Sequence, residues 1–87
     1  GIGKDLPEII IKKSQIQNGI NILELLTISK IMSSKSEARR AIANNGIKIN
    51  DSTLVDEKKI INQKDLLDQN YIKISYGKKK HFIIKTN

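Results

Sequence analysis

Lys35, Ser36, Arg39, Arg40 and, a few residues on, Lys48 are the side chains whose types and spacing point to a chemistry, and that chemistry is holding anions. At about 100° per residue, a helix starting near Lys35 places Ser36, Arg39, Arg40 and Ala43 on one side and Ala38, Ala41, Ile42 and Asn45 on the other. The first side is cationic and smooth, because Ser36 and Ala43 are small enough to let a phosphate backbone approach. The helix start adds unpaired N–H groups and the positive end of the peptide dipoles, a further attraction for an anion. An arginine pair can equally decorate a solvated face. The helix-start chemistry, the small neighbours and a second cationic run, Lys78-Lys79-Lys80, favour a phosphate surface. Those lysines alone would also suit a hairpin tip kept soluble by charge.

No grouping has the makings of an active site. There is no nucleophile with a base, no paired carboxylate in a pocket pattern and no phosphate-binding glycine loop. Met32-Ser33-Ser34-Lys35-Ser36 looks like the Lys-Met-Ser-Lys-Ser loop that binds ATP phosphates in class I aminoacyl-tRNA synthetases. It has one serine too many, Ile31 stands where the first lysine belongs, and no nucleotide-binding strand–helix units surround it. It reads as a helix cap. His81 has no second His, Cys or acidic neighbour and reads as structural or incidental, neither a metal ligand nor a base. Tyr71, Tyr76 and Phe82 could stack on unpaired bases, but in a small core burial is the simpler expectation. No catalytic residue, metal or cofactor is expected in this chain.

The elements that position these cations are legible around them. Ile22, Leu25, Leu26, Ile28, Ile31 and Met32 recur at helical spacing, with Asn21 as N-cap. Ser33-Ser34 breaks that pattern, and Ser34 with Glu37 has the spacing of a capping box opening a second helix. Asn45-Gly46 tolerates the left-handed conformation that ends helices. Ile47 and Ile49 alternate with Lys48 and Asn50 as in a half-buried strand, and Asn50-Asp51-Ser52 reads as a turn. Short strands are expected at Leu54-Val55 and over residues 59–62, and a turn or single helical turn over 63–69. Residues 71–76 and 81–86 form a hairpin through Gly77 and the lysines. Residues 1–18, with two glycines and a proline before Gly19 and no sustained helical period, read as a linker or arm with a short extended piece at 8–12. Residues 19–87 form the domain. The fold class expected is α+β, two helices packed on a small, mostly antiparallel sheet.

At 87 residues the chain supports one small core. Its formal charge of +7 favours nucleic acid as partner, with an anionic membrane surface second. Residues 30–48 carry a net +4 and residues 71–86 a net +5, whereas 51–68 carry −2, so the charge is bipolar. The absence of cysteine fits a reducing compartment. No apolar run approaches a membrane span and no signal-peptide pattern opens the chain, so a cytoplasmic protein is expected. A start at Gly1-Ile2-Gly3 without methionine suggests a fragment or processed product.

Residues 22–31, Ser33-Ser34-Lys35-Ser36-Glu37-Ala38-Arg39-Arg40, Gly46-Ile47-Lys48-Ile49-Asn50-Asp51 and Gly77-Lys78-Lys79-Lys80 before Phe82 together resemble the S-four RNA-binding domain family. The lead-in Asp5-Leu6-Pro7-Glu8 and the phrase Asn18-Gly19-Ile20-Asn21-Ile22-Leu23-Glu24-Leu25-Leu26 are most similar to its members at the C-terminus of bacterial tyrosyl-tRNA synthetases. The resemblance implies an αL-type RNA-binding fold and structured RNA, tyrosine tRNA above all, as partner. It implies RNA contacts at Lys35, Ser36, Arg39, Arg40, Lys48 and Asn50, with Lys78, Lys79 and Lys80 beside them. A monomeric fragment would follow, with the ATP-binding catalytic body and its homodimer contacts lying elsewhere in the parent enzyme. Ala43-Asn44-Asn45 is more polar than the glutamine-glycine pattern of many relatives. The alternatives are an rRNA- or ribosome-binding member of the same family and a DNA-binding helix-turn-helix. The second conflicts with a helix face that has few side chains suited to reading base edges.

Overall fold

The computed structural model describes residues 6–68 and 70–86. The chain runs β1 (Glu8–Ile11), α1 (Lys13–Gln17), β2 (Ile20–Asn21), α2 (Ile22–Ile28), α3 (Lys35–Ala43), β3 (Ile47–Ile49), β4 (Ser52–Thr53) and β5 (Ile60–Ile61). A 3-10 turn (Gln63–Asp65), β6 (Tyr71–Tyr76) and β7 (Lys80–Thr86) follow. Five strands form a sheet in the order β1-β7-β6-β3-β4, antiparallel except for the parallel β1–β7 pair, and β2 with β5 forms a small antiparallel ribbon. The fold is α+β with a mostly antiparallel sheet. Its helices number three among the described residues, where two were expected.

Alternation decides which sheet face is buried. Ile47 and Ile49 of β3, Ile72 and Ile74 of β6 and Ile84 of β7 turn inward and meet α2 and α3 in one core. From α2 come Ile22, Leu23, Leu25 and Leu26, and from α3 Ala38, Ala41 and Ile42. The alanines keep α3 close to its neighbours. Each fully buried aliphatic side chain contributes about 1.5–3 kcal/mol of transfer free energy, and that sum orients α3 with its basic side outward.

Part of the segment expected as a linker or arm is instead built into the fold. Glu8–Ile11 pairs with β7, the Ile83 N–H donates to the Pro7 carbonyl at 2.9 Å, and Ile11 and Ile16 are buried in the common core. The expected extended piece at 8–12 coincides with β1. The helix after it escapes a periodicity search because it is a single turn with one buried residue, Ile16.

The first expected helix also ends early. It stops at Ile28, Lys30 takes a left-handed φ of 65°, and the Met32 N–H reaches back to the Leu26 carbonyl at 3.0 Å. Met32 is buried as the pattern required, but from a loop. Leu54-Val55 is not a strand either; the strand is Ser52–Thr53 just before it. Asn50 and Asp51 have φ of 50° and 70° between paired Ile49 and Ser52, the two-residue hairpin loop with both central residues left-handed. No described helix is long and apolar enough to cross a membrane.

Candidate nucleic-acid interface

Helix α3 begins where Ser34, extended at φ −155°, accepts a 3.1 Å hydrogen bond from the Glu37 N–H. The reciprocal half of the expected capping box is absent: the Glu37 carboxylate accepts instead from the Ser33 hydroxyl, at 2.5 Å. A complete capping box occurs at Asn62 and Asp65, opening the 3-10 turn within the stretch where a turn or single helical turn is expected. At the far end of α3, Asn45 holds the left-handed position (φ 58°) and donates to the Ile42 carbonyl, and the Gly46 N–H donates to Ala41 at 2.8 Å. These two bonds form a Schellman motif, with Asn45 and not Gly46 as its left-handed residue. Gly46 is needed for closeness, since a Cβ there would lie 3.2 Å from the Ala41 carbonyl oxygen.

That close ending fixes where the second cationic segment sits. The Gly46 carbonyl accepts a 2.8 Å bond from the Gly77 N–H, and Ile47 pairs with Tyr76 in the sheet. The turn Gly77-Lys78-Lys79 is therefore held against the C-terminal end of α3, with Gly77 at a left-handed φ of 70°. The two basic stretches, about thirty residues apart in sequence, meet there.

Lys35, Ser36, Arg39 and Arg40 are all exposed on α3, Lys48 on β3, and Lys78 and Lys79 in the turn. Among the described residues Lys35, Arg40, Lys48, Lys78 and Lys79 pair with no carboxylate, whereas Lys59, Lys73 and Lys85 pair with Asp65, Asp51 and Glu8. Arg39 makes a loose contact, Nε to Glu57 Oε2 at 3.8 Å, with both side chains about half exposed. Such a pair is worth little in water and yields readily to a phosphate. Lys80 lies with its ammonium 5.7 Å from the Tyr76 ring centroid, a cation–π contact that restrains it.

One expected contact, Asn50, and one expected helix-face position, Asn45, look different in three dimensions. Asn50 has both ends of its amide in use: Oδ1 accepts from the Lys73 N–H at 3.0 Å and Nδ2 donates to the Asp65 carbonyl at 2.8 Å. It ties the β3–β4 turn to β6 and to the 3-10 turn. Asn45, placed on the apolar side of α3 by angle alone, is exposed because the helix has already ended. Tyr71, Tyr76 and Phe82 are half-buried, and Tyr76 packs against the core. Sequence reasoning missed the partner of His81. Its Nδ1 lies 2.9 Å from Oγ of Ser75, a serine only 2% exposed. The cue was positional, since residues 75 and 81 face each other across the hairpin.

The fold and this surface define a small α+β module that displays unpaired cations on a capped helix, the strand after it and an adjoining hairpin turn. The chain belongs to the tyrosine–tRNA ligase SYY-like C-terminal domain family, whose model matches residues 1–84. It is 44% identical over 84 residues to the tyrosine–tRNA ligase of Rickettsia massiliae and 46% identical over 84 residues to that of Pelagibacter ubique. The Bartonella quintana ligase is 43% identical over 83 residues. These alignments cover 95–97% of this chain and 20% of each relative, so the chain spans about a fifth of the length of the curated ligases it matches.

Proposed function

We propose that this chain is the tRNA-binding domain of a tyrosine–tRNA ligase, gripping tyrosine tRNA for a catalytic body that activates the amino acid with ATP. The α2–α3–β3 unit is read as the αL-type RNA-binding arrangement. Lys35, Ser36, Arg39, Arg40, Lys48, Lys78 and Lys79 supply phosphate and ribose contacts. Lys80 contributes charge from its place on Tyr76, and Asn50 holds the turn behind them. The Gly46–Gly77 hydrogen bond carries this reading, because it brings the lysine turn beside the end of the cationic helix in a chain of this family. Recognition is electrostatic and shape-based, with few side chains disposed to read base edges.

The test is tRNA affinity of Arg39→Ala with Arg40→Ala across a salt series. Both side chains are exposed and leave the core untouched, so the fold should persist by circular dichroism. Loss of two phosphate contacts lowers the magnitude of the log K against log salt slope by about 1.4–1.8 and weakens binding on the order of tenfold at moderate salt. An unchanged slope and affinity would remove α3 from the interface. Competing tyrosine tRNA against other tRNAs, rRNA fragments and duplex DNA separates a tRNA domain from a generic basic one.

A further inference from the structure

Beside the lysine turn, the outer face of the sheet carries a built polar pair that the surface described above does not use. Lys48 pairs in register with Ser75, and Ser75 with His81, so the three side chains form one row across β3, β6 and β7. With strands about 4.8 Å apart, Lys48 and His81 stand on the order of 10 Å apart at the backbone. His81 follows Lys78, Lys79 and Lys80 directly in sequence. Ser75 is buried, and its hydroxyl meets the imidazole Nδ1 at 2.9 Å, which satisfies a polar group that burial would otherwise penalise. The ring itself stays partly exposed, and Nε2 has no hydrogen-bond partner among the described residues.

We infer that His81 is a further RNA contact, its ring oriented by Ser75 so that Nε2–H meets a phosphate oxygen between those held by Lys48 and the lysine turn. The inference rests on the RNA-binding reading. The unpaired charges near this position favour an anion: Lys48 from β3 and Lys78 and Lys79 from the turn, whereas Lys73 of β6 is held by Asp51 and Lys80 lies over the Tyr76 ring. From the β1 side, Pro7 and Glu8 lie against Ile83, two residues along β7 from His81. Of the acids on this face, Glu8 pairs with Lys85 at 3.2 Å and Asp51 with Lys73 at 3.0 Å. Imidazole is the side chain that changes charge between pH 5 and 8, so this contact leaves a signature that no lysine or arginine contact shares. Phosphate binding favours the imidazolium, in which both ring nitrogens donate, one to Ser75 and one to the RNA.

The experiment measures tyrosine tRNA affinity of the 87-residue chain at pH 6 and pH 8 at fixed ionic strength, for the parent, His81→Gln, Ser75→Ala and Arg39→Ala with Arg40→Ala. The parent should bind roughly threefold to tenfold more tightly at pH 6, the gain of one charge-assisted contact. His81→Gln should abolish that increment while matching the parent within about twofold at pH 8, and Ser75→Ala should reduce it by freeing the ring. Circular dichroism and thermal unfolding of each variant at both pH values separate loss of fold from loss of contact. A pH increment that persists in His81→Gln, or no increment in the parent, overturns the inference. If the arginine variant still loses affinity in that case, the RNA-binding reading stands and only His81 leaves the surface. If the arginine variant also binds normally, both fail.

Discussion

Replacing Asn50 with alanine removes two bonds at once, stranding the Lys73 N–H and the Asp65 carbonyl in a part-buried position. It also forces an alanine to φ 50°, a conformation that asparagine tolerates better. A loss of about 1–3 kcal/mol in urea unfolding is expected, with tRNA affinity of the folded fraction little changed. A contact residue would show the opposite balance, large in affinity and small in stability. The residues alone placed Asn50 in a turn, and the family resemblance implied an RNA contact there, so the sequence left both roles open. The positions of Lys73 and Asp65, 23 and 15 residues away, supply the anchoring role. His81 is the converse case. Its chain neighbours gave no hint of a partner, and the register of one hairpin supplies it.

Helix α3 shows how an element can be legible in outline and wrong in detail. Its start, its end, its buried alanines and its exposed arginines follow from cap residues and a 3.6-residue period, because those signals act over a few residues. The partner of Glu37, the left-handed Asn45 and the early stop of α2 at Ile28, ahead of a left-handed Lys30, depend on competition between neighbours of similar energy. Composition is silent about which wins. Ser34→Ala isolates the part of the cap that does form. It deletes the acceptor for the Glu37 N–H and should cost about 1 kcal/mol by thermal or urea unfolding, within the range typical of N-caps. Because the cap lies beside Lys35 and Ser36, fraying there should weaken tRNA binding more than an equal loss of stability placed in β1.

At the scale of the whole molecule, the segment before Gly19 is the largest departure from expectation. Ile11 and Ile16 join a core shared with the helices and the sheet. Ile16→Ala should therefore destabilise the entire domain by about 2–5 kcal/mol, seen as one cooperative transition at lower urea. A loss confined to local amide exchange in residues 8–17 would mean that the segment is an appendage. The parallel β1–β7 pair has a mechanical consequence. Glu8 aligns with Ile83, so the chain enters the sheet from the same end as the lysine turn. Tension between RNA held at that turn and polypeptide upstream of Leu6 would act at one end of β1. The strand would peel one rung at a time from the Pro7–Ile83 bond, without all four register pairs sharing the load in shear. If RNA binds at the turn as proposed, β1 is the piece that would yield first under such a load while the cationic face stayed folded.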